Sequence, residues 1–303
     1  MAASSCPRRC ARSLAARGAS RPPGLRTSTE PAQHGGSIVK IQRRHLGGIH
    51  YYVQIDAEDN IVSLSQSLDL LLQGRGLQAK SLIEKISSND GRILPPVPVG
   101  KIVAIGLNYR AHAEESNKAL PAEPLIFMKP ASAVIAHLEP IVLPTQSEEV
   151  HYEGELAVII GKSAHEVSVE DAPRHILGYT ILNDVTARDI QRREGKYTHA
   201  KGFDTFAPIG PCMVTDLDPL TCTIETRVNH TLKQSSPCND MIFSIPELIA
   251  YVSSIMTLQP FDILTTGTPS GVGPITHGDT VKITITGIGT LENPVRHRKF
   301  GNT

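Results

Sequence analysis

The stretch 149-EVHYEGELAVII-160 places two glutamates, Glu153 and Glu155, one residue apart and directly before an apolar run. Because side chains alternate between the two faces of a strand, residues two positions apart point to the same side. The run LAVII predicts a buried strand with both glutamates at its N-terminal end. Two neighbouring carboxylates repel each other unless a positive charge offsets the repulsion. The rest of the chain, or a bound ion, must supply that charge.

A third carboxylate, Asp184, stands at the polar end of another apolar strand, in YTILNDVTARD. Carboxylates at strand ends, with no sulfur and no obvious histidine ligand, suit a hard cation that prefers oxygen. We therefore predict that Glu153, Glu155 and Asp184 hold a divalent ion such as Mg²⁺ or Mn²⁺, with Ca²⁺ as a third option. The alternative is a solvated sheet face on which Asp184 closes a turn.

Two further groups of polar residues suggest chemistry. In GLNYRAHAEES, His112 and Glu115 are three positions apart, which places them on one face if the segment is helical. A carboxylate orients a neighbouring imidazole and favours its protonated form, as in a general base that activates water. In HAKGFDTFAPIGP, Lys201 can bind a carboxylate or enolate oxygen. Each group taken alone also fits an ordinary surface, as an incidental ion pair and as a surface lysine.

Composition excludes several classes of function. Thirty lysines and arginines balance thirty acidic residues, so no net charge attracts nucleic acid or an anionic membrane. Apolar runs are too short to cross a bilayer. The motifs of P-loop nucleotide enzymes, serine hydrolases and zinc proteases are absent, and GTPSGVGP lacks the phosphate-binding lysine. Five cysteines without a CxxC pair indicate a reducing compartment.

The chain divides into four parts by composition. Residues 1–35 contain six arginines and no acidic residue before Glu30, which is typical of a mitochondrial transit peptide. The alternatives are a disordered basic tail and a cytoplasmic protein. Residues 36–97 mix strand and short helix patterns and end in the stiff LPPVPVG, which predicts a small N-terminal α+β module. Residues 98–297 form the predicted main domain, followed by a tail, 298–303.

Strand composition dominates the main domain, as in KIVAIGLNY, GELAVIIG and DTVKITITGIG. SIPELIAYVSSIM predicts a helix, with a serine N-cap and apolar residues at helical spacing. SLSQSLDLLLQG, LQAKSLIEKISS and SVEDAPRHI predict shorter helices. The fold class is therefore α+β and mainly β, a rolled or sandwiched β domain rather than an alternating βαβ sheet.

Seven stretches, in this order, resemble the fumarylacetoacetate hydrolase family: GLNYRAHAEE, FMKPASAVI, YEGELAVIIGK, GYTILNDVTARDIQ, KGFDTFAPIGP, MIFSIPELIAYVSSIMTL and TTGTPSGVG. The module before Leu94 is similar to the small N-terminal domain that many members have. The resemblance implies the mixed β-sandwich roll of that family, a homodimer, and a small-molecule substrate, with no nucleic-acid or membrane partner.

The resemblance also implies roles for individual residues. The matching residues are the metal ligands Glu153, Glu155 and Asp184 for Mg²⁺ or Mn²⁺, the water-activating pair His112 and Glu115 on a mobile lid, Lys201 at the keto-acid end of the substrate, and Thr268 at the substrate carboxylate.

The implied reaction is metal-dependent enolate chemistry on a small 2-oxo or β-diketo acid. Hydrolysis of a C–C bond in an acylpyruvate is the first expectation. Oxaloacetate tautomerisation or decarboxylation, or a lyase or isomerase reaction of a 2-oxo acid, is the alternative, because one enolate leads to all of them. A non-catalytic protein that binds the metal or a ligand is the remaining alternative, and the His112/Glu115 pair speaks against it.

Overall fold

The computed structural model describes residues 39–46, 48–76 and 91–298. The predicted transit segment, 1–35, and the helix expected in LQAKSLIEKISS lie outside these residues, so both stay predictions. No helix within the described residues is both long and apolar enough to cross a membrane.

Strands dominate the described chain. They are β1 Lys40–Leu46, β2 Ile49–Ile55, β3 Ile61–Ser65, β4 Arg92–Leu94, β5 Ile102–Gly106, β6 Leu125–Lys129, β7 Val134–Ile135, β8 Ile141–Leu143, β9 Val150–Tyr152, β10 Gly154–Ile160, β11 Ile176–Asn183, β12 Thr186–Ala187, β13 Ala207–Val214, β14 Thr223–Val228, β15 Thr231–Pro237, β16 Ile263–Thr265, β17 Gly273–Pro274, β18 Thr280–Ile285 and β19 Gly289–His297. The α-helices are α1 Leu68–Leu72, α2 Arg110–Glu115, α3 Arg188–Glu194, α4 Tyr197–Lys201 and α5 Ile245–Ile255.

Three sheets organise these strands. The largest runs in the order β3-β2-β1-β13-β11-β10-β16-β5-β6, with β4 paired to β1 and β7 paired to β13. A five-stranded sheet runs β15-β14-β18-β19-β8, and a three-stranded sheet runs β12-β9-β17. The mixture of parallel and antiparallel pairs, with few helices, confirms the predicted class, α+β and mainly β.

Strand β10 lies inside the largest sheet, between β11 and β16, and all of its residues are buried. Leu156, Val158 and Ile160 pack into a core shared with the five-stranded sheet and α5. Ala157 and Ile159 pack on the opposite face, into a second core that includes α1. A strand covered on both faces needs apolar side chains on both, which explains the continuous run LAVII. The acidic residues at its start are therefore held by the most buried part of the fold.

The strands of residues 40–65 extend the largest sheet. Strand β1 pairs antiparallel with β13, with Lys40 opposite Val214 and Ile41 opposite Met213. The predicted N-terminal module therefore shares its sheet with the main domain, and its folding as a separate unit stays a prediction.

Two predicted helices are wrong in part. In SLSQSLDLLLQG the first residues belong to β3, which pairs antiparallel with β2, and α1 begins only after Ser67. In SVEDAPRHI only a 3-10 turn forms, at Ala172–His175. Pro173 lies in that turn and lacks the N–H that would continue a longer helix.

The helix predicted in SIPELIAYVSSIM is confirmed as α5. The main-chain N–H and the hydroxyl of Ser244 both donate to the Glu247 carboxylate, at 2.7 Å and 2.6 Å. The Ser244 side chain also accepts from the Glu247 N–H, so the two residues form a capping box that satisfies donors with no partner inside the helix.

Replacing Ser244 by alanine removes this cap and should lower the free energy of unfolding by about 1 kcal/mol, as measured by chemical denaturation. Ser254→Ala is the matched control, because Ser254 is exposed near the other end of α5 and binds only the Tyr251 carbonyl. Equal losses in the two variants would show that Ser244 does not act as a cap.

Candidate active site

A cavity of about 370 Å³ opens beside the start of β10. Six of the seven residues singled out in the sequence line it: His112, Glu153, Glu155, Asp184, Lys201 and Thr268. The seventh, Glu115, contacts His112. Residues far apart in the chain therefore meet at one place.

The three carboxylates form a compact group. Each presents an oxygen within 4.8 Å of the others, and all three side chains are buried. Pairing of β10 with β11 sets Glu155 opposite Leu182 and brings the ends of both strands together. The Asp184 N–H also donates to the Glu153 carbonyl at 2.8 Å. The register of one strand pair thus places all three acids at one site.

Three cationic side chains offset the repulsion between these acids. Lys129 Nζ lies 2.7 Å from Asp184 Oδ1. Lys201 Nζ lies 2.9 Å from Glu153 Oε2 and also contacts Asp184. Arg188 pairs with Glu153 from the start of α3. The positive charge that the sequence required therefore comes in part from the chain itself.

The two glutamates differ in their electrostatic surroundings. Burial alone would raise the pKa of Glu153, but Lys201 and Arg188 outweigh it and hold that pKa well below its usual range. Burial and the nearby negative charge of Asp184 raise the pKa of Glu155 well above its usual range. Glu155 accepts a hydrogen bond from the Gly267 N–H at 3.1 Å.

No lysine or arginine of the described chain forms a salt bridge with Glu155, which is 1% exposed. A divalent cation in contact with all three carboxylates would supply the charge that Glu155 lacks. The buried oxygen donors, their spacing and this missing counter-charge all fit such an ion.

The two lysines also differ. Burial opposes the charged form of Lys201, yet Asp184 and Glu153 outweigh it and raise the pKa of this ammonium group. For Lys129 burial dominates over the attraction of Asp184 and lowers the pKa. Lys201 is therefore the firmly protonated cation of the site, and its Nζ lies 4.7 Å above the ring of Phe127.

Sequence reasoning missed Lys129 and Arg188. Both stand in quoted stretches, FMKP and VTARD, and each cation directly follows a short, mostly apolar run of residues. That position is the available signal, because a lysine at 1% exposure needs a carboxylate partner.

The His112/Glu115 pair lies on α2. His112 Nδ1 is 3.2 Å from Glu115 Oε2, and Glu115 also accepts from the Gly271 N–H at 3.2 Å. The carboxylate thus joins the helix to the loop after β16 and orients the imidazole. When Glu115 is ionised, Nδ1 carries the hydrogen and Nε2 keeps its lone pair.

The base of α2 is anchored by Asn108, which is completely buried. Its amide donates to the Thr266 carbonyl at 2.8 Å and accepts from the Phe243 N–H at 2.9 Å. Gly267 has φ +87°, and a Cβ there would lie 2.9 Å from Asn108 Cβ, so the close approach requires glycine. The predicted mobility of this segment as a lid stays a prediction.

Thr268 lies in the cavity wall with its hydroxyl already bonded. It donates to the Gly154 carbonyl at 2.9 Å and accepts from Gln234 Nε2 at 2.8 Å. A hydroxyl has one hydrogen, and Thr268 already gives it to Gly154, so it could donate to a substrate carboxylate only by exchanging that hydrogen bond. Binding of a substrate carboxylate by Thr268 stays a prediction. Sequence reasoning also missed Gln234, which no motif marks.

The remaining wall of the cavity combines apolar and basic side chains. The apolar ones are Ile105, Leu107, Leu125, Phe127 and Tyr197, and the further basic ones are Lys118 and Arg192. Arg192 also pairs with Glu149 at 2.6 Å. The cavity can therefore hold a small anion with a short carbon skeleton.

The chain is similar to several known proteins. The family model "Fumarylacetoacetate (FAA) hydrolase C-terminal" matches residues 101–296. The chain is 37% identical to oxaloacetate tautomerase FAHD2B, mitochondrial, of Bos taurus over 287 residues, which cover 85% of this chain and 91% of that protein. 5-Carboxymethyl-2-hydroxymuconate delta-isomerase from Mycobacterium smegmatis has a similar structure, with TM-score 0.74 and 41% identity over 86% of this chain and 99% of that one.

A second similar structure is fumarylpyruvate hydrolase from Pseudomonas aeruginosa in complex with Mn²⁺ and pyruvate, with TM-score 0.63 and 33% identity. This likeness covers 70% of this chain and 94% of that one. The structural likenesses confirm the fold that the resemblance implied, and the family match covers most of the chain. The protein belongs to the fumarylacetoacetate hydrolase family.

Proposed function

We propose that this protein is a divalent-metal-dependent enzyme that forms the enolate of a small 2-oxo acid, with oxaloacetate as the first candidate substrate. The observation that carries the proposal is the buried group Glu153, Glu155 and Asp184, which faces the same cavity as Lys201 and His112. An acidic group that needs a cation, a protonated lysine and an oriented imidazole are together what enolate formation requires.

Glu153, Glu155 and Asp184 would hold the cation, Mg²⁺ or Mn²⁺, with Ca²⁺ as the third option. The fumarylpyruvate hydrolase of P. aeruginosa was solved with Mn²⁺. Such an ion, when bound, acts as a Lewis acid that polarises the 2-oxo group of a substrate.

Lys201 supplies fixed positive charge beside the acids. Its ammonium group is buried and stays protonated, since Asp184 and Glu153 raise its pKa. A substrate oxygen that gains negative charge in this cavity therefore meets a donor that needs no rearrangement. Lys201 thereby favours the enolate over the ketone.

His112 moves the proton. With Nδ1 bonded to Glu115, Nε2 can take a proton from the carbon next to the 2-oxo group. The electron pair of that C–H bond then becomes the enolate. Return of that proton from His112 Nε2 to the enolate oxygen would complete keto–enol tautomerisation and regenerate the base, while Glu115 holds the imidazole in position.

Oxaloacetate takes first place over the acylpyruvate expected from sequence alone. The relative FAHD2B is named an oxaloacetate tautomerase, and its similarity extends over 85% of this chain. Lys118 and Arg192 in the cavity wall provide positive charge for a second carboxylate. The same relative supports the proposal of a mitochondrial location, and the homodimer stays a prediction.

Hydrolysis of an acylpyruvate is the second candidate. The specific observation in its favour is the His112/Glu115 pair, because an imidazole oriented by a carboxylate can also deprotonate water. Water attack on the distal carbonyl would break the C–C bond and leave the enolate of pyruvate. The apolar residues Leu107, Leu125 and Phe127 would contact the acyl chain.

The deciding experiment follows oxaloacetate and acetylpyruvate with the full chain, in Mn²⁺ or Mg²⁺ and in EDTA. We expect the ultraviolet absorbance of enol-oxaloacetate to decay faster with metal than with EDTA, while NMR shows that oxaloacetate remains. Pyruvate and acetate from acetylpyruvate would support the second candidate instead. Pyruvate and carbon dioxide from oxaloacetate would contradict a tautomerase, and no turnover of either compound would contradict both candidates.

Replacing His112 by alanine should lower kcat by about 10²–10⁴-fold, because the variant loses its general base. The affinity for Mn²⁺ should stay unchanged, since His112 is not one of the acidic ligands. His165→Ala is the control, as His165 is exposed and lies outside the cavity. Full activity of the His112 variant would refute the assigned role.

Replacing Glu155 by glutamine keeps the shape of the side chain and removes its charge. We expect the affinity for Mn²⁺, measured by calorimetry, to fall at least about tenfold, because one anionic ligand is lost. Glu149→Gln is the control, since Glu149 pairs with Arg192 outside the buried group. Equal affinities in the Glu155 variant and the unmodified chain would rule out this ligand set.

A further inference from the structure

Gln234 lies on β15, an edge strand of the five-stranded sheet, yet it is only 1% exposed. Its side chain reaches the start of β10 and the loop after β16. Oε1 accepts from the Gly154 N–H at 3.1 Å, and Nε2 donates to Thr268 Oγ1 at 2.8 Å and to the Pro269 carbonyl at 2.9 Å. All three partners stand at the cavity or beside it.

These partners determine the orientation of the Gln234 amide. The Gly154 N–H can only donate, and the Pro269 carbonyl can only accept. A flipped amide would oppose donor to donor and acceptor to acceptor. The carboxamide therefore has one arrangement that satisfies the site.

Both main-chain polar groups of Gly154 are hydrogen-bonded. Its N–H donates to Gln234, and its carbonyl accepts the hydroxyl hydrogen of Thr268. A Cβ at Gly154 would lie 2.4 Å from Thr226 Oγ1, so no other residue fits this position without a shift. Because Gly154 separates Glu153 from Glu155, its placement sets the placement of both carboxylates.

The same part of β15 also supports the loop at Gly271. A Cβ on Gly271 would lie 2.1 Å from the Lys233 carbonyl oxygen, so loop and strand are in direct backbone contact. The Gly271 N–H donates to Glu115. Strand β15 thus contacts both the acidic group and the loop that meets the His112/Glu115 pair.

We propose that Gln234 is a positioning residue that joins the metal-binding strand to the Thr268 loop and so sets the affinity of the acidic group for its cation. The inference rests on the proposed metal site. It assigns to a residue on the opposite sheet a role that neither the acidic group nor the His112/Glu115 pair supplies.

The test measures Mn²⁺ affinity by calorimetry on the full chain with Gln234→Leu. Loss of a side chain that supports metal ligands typically weakens binding by about 10- to 100-fold, and we expect a loss of at least tenfold here. Thr268→Val removes the next link of the same connection. If both act through Gly154, the double variant should bind Mn²⁺ no more weakly than the weaker single variant.

Asn293→Leu is the matched control. Asn293 is also a buried carboxamide of the five-stranded sheet, on β19, and it donates at 2.8 Å to the carbonyls of Ala136 and Glu139. Neither carbonyl belongs to a residue of the cavity wall. This variant should lose thermal stability and keep its Mn²⁺ affinity, which separates positioning from a general loss of stability.

Unchanged Mn²⁺ affinity in a folded Gln234→Leu variant, or additive losses in the double variant, would overturn the proposal. If Gln234→Leu does not fold, Gln234→Met is the replacement, and the same criteria apply. Binding of Mn²⁺ without turnover of oxaloacetate or acetylpyruvate would refute the proposed reaction and leave this test intact. Absence of Mn²⁺ binding by the unmodified chain would overturn both.

Discussion

Three buried carboxylates lie within 4.8 Å of one another where β10 begins and β11 ends. Such a group cannot stay ionised away from water without positive charge beside it. The fold meets this need in part by bringing Lys129 from β6, Lys201 from α4 and Arg188 from α3 to the ends of β10 and β11. Apolar cores on both faces of β10 fix the strand that carries the acids. The packing of the two cores and the electrostatics of the acidic group therefore depend on the same strand.

The sequence predicted much of this acidic group because its signal is local. Alternation along a strand puts Glu153 and Glu155 on one side, and Asp184 marks the end of the next apolar strand. The partners of these residues were not predictable in the same way. Arg188 bonds to Glu153 across 35 residues, and Gln234 bonds to Gly154 across 80. Such contacts follow from the order of strands in the sheets, which spacing along the chain does not encode.

Local patterns were also insufficient where two periods compete. SLSQSLDLLLQG satisfies a helical spacing of apolar residues, yet its first three residues pair with β2 as a strand. Pairing with an existing sheet supplies hydrogen bonds and burial that a short isolated helix lacks. By contrast, α5 carries its own start signal in Ser244 and Glu247, and there sequence and structure agree.

The candidate site combines the buried acids and lysines with the less buried His112/Glu115 pair. This combination suggests how one architecture can support different reactions. The acids and both lysines are buried, and in the proposed mechanism they would serve any reaction that passes through an enolate. The His112/Glu115 pair lies on a six-residue helix anchored mainly through Asn108 and the neighbouring loops. In the proposed mechanism, the placement of this helix would determine whether the imidazole faces a C–H bond or a water molecule. Hydrolase, isomerase and tautomerase can therefore share the buried residues and differ in the small segment above them.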